Sequence, residues 1–322
     1  MTAPLGVGAP DTATTVPPVG TPPVPAGPVR RRRGASQRNR PLWMLLPGGA
    51  VTVVVIVVPL CVAVYISLLD LDQYSIRQWV GAPFVALDNY IEAVRDSHLP
   101  HSILISVSYA AVVALAAVPL GVTAALVTQD RFRGRGLVRS IFLVPYVLPA
   151  FVVGTVWRIV LQPDGVANAM LGLDGLWLNG PRSFWALVIV QLWSSWPLVY
   201  LLAVSGLQSV DPVVYEAAAL DGAGWWQKLR HVVAPYLRGP VALAFVISFL
   251  HNLNNFALPF VLFGVPSPED VEVLPVLTYV ESFQNFRFGL SAAMAVISLV
   301  LVAIPIAAYL RAVRLDTGEA KQ

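Results

Sequence analysis

The amino-acid sequence predicts an all-α membrane protein with six transmembrane helices, and three observations carry that prediction. Of 322 residues, 57% are hydrophobic and only 12% are charged, whereas an ordinary soluble domain is roughly 25% charged. The apolar residues gather into stretches that meet the ~20 residues a helix needs to cross a hydrocarbon core of ~30 Å. The basic residues crowd onto alternate connections between those stretches. A soluble chain of this length could not cover so much apolar surface with so few charges. The bilayer is the solvent that accepts the excess.

Taken in order, Met1 to Val29 is rich in Pro, Gly, Thr and Ala. It cannot bury enough surface to offset its ordering entropy and reads as disordered. With Arg30 to Arg33, Arg38 and Arg40 it makes residues 1–41 a Pro/Arg-rich tail. Leu42 to Leu69 then runs without a charge. A cleavable signal has an apolar region of only ~7–15 residues, so this longer run reads as a retained first span. It contains Cys61, the single cysteine, which excludes an intrachain disulfide and a cysteine metal site and fits a small packed hydrophobe. Five further spans follow at about Ser102–Thr128, Ser140–Leu161, Ser183–Leu207, Gly239–Phe263 and Phe288–Leu310. Arg158 lies near the end of the third, where its side chain can snorkel to the interface. Internal prolines (Pro119, Pro145, Pro149, Pro197, Pro259, Pro305) are more tolerable in a membrane bundle than in a soluble helix. Residues 42–314 thus form the membrane domain and 315–322 a short tail.

Orientation follows from the basic residues. Six spans put both termini on one side, and that side carries 16 of the 21 Lys and Arg residues. The expectation is a multi-pass membrane protein with both termini, and the 208–238 connection, in the cytoplasm.

That connection, between spans four and five, is the informative one. Asp211 can cap a helix that begins at Pro212, where a missing N–H is harmless. Glu216 to Leu220 are good helix formers, and Gly222 after Asp221 supplies the left-handed position that stops a helix. A second helix is expected from about Gly224 to Ala234, ending before Pro235. The first helix presents small residues, Ala217, Ala218 and Ala219, beside the carboxylate of Glu216, a surface suited to a partner's groove and to a guanidinium. A hairpin that merely connects two spans fits the same residues.

Glu216-Ala217-Ala218, then Gly222, then Val232 to Pro235 resembles the EAA loop of permease subunits of binding-protein-dependent ABC importers. Its pattern is EAA, three residues, Gly, nine residues, Ile-x-Leu-Pro, with Val232 and Ala234 here replacing Ile and Leu. The resemblance covers nearly all of 42–310. Leu46-Pro47-Gly48, Leu87 to Tyr90, Phe132 to Arg139, Val144 to Tyr146 with Val156-Trp157, and Phe283 to Phe286 are similar to the maltose/glycerol-phosphate class of sugar permeases. A Thr-Gly-Gly-Gly-Pro-like turn usual after the fifth span is replaced by Phe263 to Asp270. The resemblance implies that 208–238 is the cytoplasmic coupling loop, with Glu216, Ala217, Ala218, Gly222 and Pro235 in the contact with a separate ATPase. It also implies that the membrane is a bacterial inner membrane, and a second permease subunit in a heterodimer, two ATP-binding ATPase subunits and an extracytoplasmic solute-binding protein.

No phosphate-binding Gly-x-x-x-x-Gly-Lys-Ser/Thr run occurs, so ATP hydrolysis is not expected of this chain. No catalytic set, metal site, cofactor site or nucleic-acid interface is expected either; His98, His101 and His231 read as solvated. The fifth span contains His251, Asn252, Asn254 and Asn255, polar groups that are costly at bilayer depth unless they face a cavity or another helix. His251, Asn254 and Asn255 are candidates to line a solute path, with Gln191, Trp193 and Trp196 of the fourth span beside them. The amides also fit interhelical hydrogen bonding worth ~0.6–2 kcal/mol, and the tryptophans interfacial anchoring. A sugar or sugar-like cargo follows from the resemblance, other solute classes remaining open. A self-contained secondary transporter would normally carry intramembrane carboxylates, and none of the six spans contains Asp or Glu.

Overall fold

A computed structural model describes residues 47–130, 132–172 and 175–319. The tail at 1–41, the start of the first apolar run and the last three residues lie outside them. The chain divides into two units, Met1–Val54 and Val55–Gln322; the described part of the first is helical turns only. The regular structure among the described residues is helical, apart from an isolated bridge between Leu69 and Phe84.

Among the described residues, five helices are long and apolar enough to cross a membrane: α1 (Pro47–Ile66), α3 (Leu99–Val127), α7 (Arg182–Gln208), α9 (Trp225–Leu253) and α12, which runs over Phe288–Glu319. A bent pair, α4 (Arg135–Val147) and α5 (Ala150–Val160), turned by 90° at its break, passes the same test when its two helices are taken together, which brings the candidate spans to as many as six. Shorter helices link these: α2 (Asp88–Arg95), α6 (Val166–Leu171), α8 (Pro212–Leu220), α10 (Ala257–Phe263) and α11 (Leu274–Phe283).

Close approach of α3 and α7 forms the centre. Ala110, Ala114, Ala117, Gly121 and Ala125 are buried along α3 at the three-to-four-residue spacing that lets membrane helices pack tightly. A Cβ on Gly121 would lie 2.7 Å from the Tyr200 backbone nitrogen. Gly206 repeats the device between α7 and α9, where a Cβ would meet Leu237 and Pro240 at 2.9 Å. At the other end of the bundle Asn89, in the Leu87 to Tyr90 run, donates to the carbonyls of Ser67 and Leu69 just after α1. Tyr90 shares a 2.6 Å hydrogen bond with Ser67, and Gly289 brings the start of α12 against Leu71, its N–H donating to that carbonyl.

Two expected spans are not single straight helices. Ser140–Leu161 breaks at Leu148, which is extended (ψ 135) ahead of Pro149, because proline drives the preceding residue out of the α region. Gly239–Phe263 breaks at Asn254–Phe256, and the remainder forms α10. The helix expected to end before Pro235 instead continues through it as α9. Leu229–Val233 forms a π turn in which the Ala234 N–H reaches five residues back to Leu229. A widened turn of this kind accommodates the proline's missing N–H and its ring.

Candidate functional site

The two helix breaks and α7 border an open cavity of about 370 Å³. Its apolar wall includes Pro145 and Leu148 at the α4–α5 corner, Val153 on α5 and Leu258 on α10. Its polar wall is Tyr146, Gln191, Ser194, Ser195, His251 and Asn255. No lining residue carries a fixed charge.

A chain of amides holds the polar wall in place. Gln191, almost fully buried, donates from Nε2 to Asn252 Oδ1 at 2.8 Å and accepts at Oε1 from Asn255 Nδ2 at 2.8 Å. Asn255 Oδ1 accepts the Leu258 N–H at 3.2 Å, supporting the first turn of α10. Asn252 donates onward to Ser248 Oγ at 3.4 Å. The break in the fifth span is therefore pinned to α7 by side chains, satisfying amides that would otherwise be costly in hydrocarbon. Ser195 Oγ is buried without a hydrogen-bond partner, so a hydroxyl on a cavity-lining residue is left with unused bonding capacity.

Of the residues proposed from sequence for a solute path, Gln191, His251 and Asn255 line this cavity. Asn254 is exposed and bonds back to the Leu250 carbonyl. Trp193 stacks edge-on against Trp157, and Trp196 against Phe142; neither lines the cavity. Ser194, Ser195 and Tyr146 were not anticipated. The two serines sit three and four positions after Gln191, on the same helix face, so that spacing was an available signal. Tyr146 depends on the α4–α5 corner, which no periodicity announces.

At the other end of α7, Asp211 caps α8 by accepting the Val213 N–H at 2.9 Å. The helix closes with the Ala223 N–H on the Ala218 carbonyl and the Gly222 N–H on that of Ala219. This double bond pattern needs a left-handed residue after the helix, and Gly222 has φ +72°. Glu216, Ala217 and Ala219 are exposed, Ala218 half-buried and Leu220 90% exposed. Glu216 makes no ion pair among the described residues. The opposite face is held by Tyr215, which packs among Tyr200, Leu207, Val233 and Leu237. Pro235 lies within α9 just beyond the π turn. The arrangement is an acidic, small-residue surface held out from the bundle.

Residues 117–314 match the family model described as binding-protein-dependent transport system inner membrane component. The chain is 31% identical to a Sinorhizobium fredii protein named as a probable ABC transporter permease, y4oQ, over 87% of this chain and 92% of that one. It is 29% identical to the trehalose/maltose transport system permease protein MalF of Thermococcus litoralis, covering 80% and 88% respectively. It is 26% identical to the sn-glycerol-3-phosphate transport system permease protein UgpA of Brucella abortus, covering 81% and 90%. Among solved structures, a chain of a bacterial ABC transporter that imports the acidic polysaccharide alginate superposes with TM-score 0.70 at 21% identity, over 85% of this chain and 96% of that one. This likeness shows a shared fold.

Proposed function

The chain belongs to the binding-protein-dependent transport system inner membrane component family, as a multi-pass ABC importer permease, and from that premise we propose that it passes a neutral, polyhydroxylated solute, a sugar or close relative of one, through the cavity between α4–α5, α7 and α9–α10. The observation that carries this reading is the wall itself. Hydroxyls, amides and an imidazole line about 370 Å³ without a fixed charge, which matches the hydrogen-bonding demands of a sugar and offers nothing to balance a carboxylate or phosphate. The trehalose/maltose relative supports the same class.

In this reading α8 is the coupling helix. It lies on the cytoplasmic side, together with both termini, as the distribution of basic residues supports. Glu216 pairs with a basic residue of a separate ATPase subunit, and Ala217 and Ala218 allow close approach. Gly222 sets the turn that leads into α9, and Pro235 with its π turn sets the course of that helix toward the cavity. ATP is hydrolysed on the partner, and the spans rock between outward and inward openings, with differential binding to the two states supplying direction. A second permease subunit, two ATPase subunits and an extracytoplasmic binding protein complete the assembly.

Co-purification followed by uptake tests this. The tagged chain should bring down an ATPase, and vesicles holding the assembly should accumulate a neutral sugar only with ATP and binding protein. Solute movement by the purified chain alone would refute the scheme.

A further inference from the structure

A second, smaller cavity of about 80 Å³ lies where α3 and α7 end, lined by Ala125, Gln129, Arg135, Arg139, Val204, Leu207 and Gln208. Arg135 Nε and an Arg139 terminal nitrogen both donate to a single acceptor, the Thr128 carbonyl just beyond α3, at 2.8 and 3.0 Å. Capping the end of a helix in this way is favourable for one cation. Two guanidiniums drawn to one carbonyl repel each other, and a carbonyl cannot neutralise them. Neither arginine takes part in an ion pair among the described residues, and Arg139 Nε is buried without a hydrogen-bond partner. Gln129, whose amide donates to Tyr215, and Gln208 also line the space.

We propose that this cavity binds the phosphate of an anionic ligand. The forked donors of the two arginines suit a tetrahedral oxyanion, and the space of about 80 Å³ is of the order a phosphate group needs. Both α3 and α7 leave their apolar stretches here, which sets the cavity at headgroup depth. Basic pockets between membrane helices at that depth are where phospholipid headgroups are held. The chemistry, however, is that of phosphate, whether carried by a lipid or free. The site is separate from the solute cavity and does not depend on the ATPase reading. It does adjoin the Gln129–Tyr215 hydrogen bond, so its occupant sits next to the attachment of α8.

The test is thermal unfolding of the full chain, purified in a non-ionic detergent with its co-purifying subunits. It is titrated separately with phosphatidylglycerol, phosphatidylcholine and inorganic phosphate. Binding should raise the melting temperature by roughly 3 °C near saturation. A rise with phosphatidylglycerol but not phosphatidylcholine identifies a lipid source; a rise with inorganic phosphate alone identifies the free anion. Arg139→Gln should weaken the response at least roughly tenfold, the effect of one charge-assisted hydrogen bond, while Arg133→Gln, at an exposed neighbouring position, leaves it unchanged. Because Arg139→Gln also disturbs the α3 cap, Gln208→Glu is the second variant. It places a carboxylate in the cavity and should abolish the response with the arginines intact. No rise with any of the three additions, or an equal rise in wild type, Arg139→Gln and Gln208→Glu, overturns the proposal.

Discussion

Gln129 donates from Nε2 to the hydroxyl of Tyr215 across 2.9 Å, joining the residue after the α3 cap to the exposed helix α8. One position earlier, Thr128 shares a 3.2 Å hydrogen bond with Tyr200 of α7. Hydrogen bonds thus run from α8 to the end of α3 and, one residue earlier, from that end to the interior of α7.

Tyr215→Phe keeps the ring in its apolar setting and removes only the hydroxyl. A single such bond contributes about 0.5–1.5 kcal/mol net, so the subunit should insert and retain its ATPase. Uptake per ATP hydrolysed should fall by roughly two- to tenfold, read by measuring both in one vesicle preparation. An unchanged ratio would remove Tyr215 from the transmission path.

Glu216→Lys should uncouple hydrolysis from transport without loss of the subunit from the membrane, because its side chain is exposed and supports no internal contact. Gly222→Asp should do the same through the backbone. A non-glycine residue in the left-handed region costs roughly 1–2 kcal/mol, enough to unwind the double closure of α8. Uptake assays beside membrane immunoblots separate uncoupling from loss of protein.

Gln191→Ala leaves the amides of Asn252 and Asn255 each short of a partner. The cost of orphaning buried polar groups is about 1–3 kcal/mol, so both stability and uptake should fall. Ser195→Ala removes a hydroxyl that has no partner, and should leave the melting temperature nearly unchanged while raising the solute concentration needed for half-maximal uptake. A stability loss in Ser195→Ala equal to that of Gln191→Ala would mean the serine is structural.

Gly121→Val would drive side-chain atoms into the Tyr200 backbone, where even a Cβ stands at 2.7 Å. Overpacking at a close helix crossing costs roughly 1–3 kcal/mol or more. Strongly reduced membrane levels are expected, whereas Gly136→Ala, in open space, should be neutral.

The number of crossings was legible because length and apolarity are properties of a stretch, not of its neighbours. The first half of the 208–238 connection was legible too: Asp211, Pro212 and Gly222 act through local backbone chemistry, capping, starting and closing α8 as their residue types dictate, whereas the helix after it runs on through Pro235. The corners were not. Pro145, Pro149, Pro197, Pro235 and Pro305 all sit in apolar or near-apolar segments, yet α7 runs through Pro197 and α12 through Pro305 while the chain turns by 90° at Leu148–Pro149. Which proline bends a helix depends on what packs behind it, and for Pro235 on a π turn whose extra residue leaves no mark in composition. The larger cavity lies between the α4–α5 and α9–α10 breaks, so Gln191, His251 and Asn255 could be nominated by polarity alone, whereas Tyr146 and Ser195 could not.

The π turn at Leu229–Val233 fits one residue more into its coil than a regular helix would. Everything downstream is consequently rotated by about 100° relative to an uninterrupted spiral, including Ser248, His251 and Asn252. Removing a single amino acid there, together with Pro235→Ala, would let an ordinary spiral re-form and leave the far half of α9 facing as it does now. Removing one anywhere else between Ala234 and Ser248 would swing that half away from Gln191. Length changes in this helix are therefore tolerable at one place, set by a proline about four turns from the polar wall it serves.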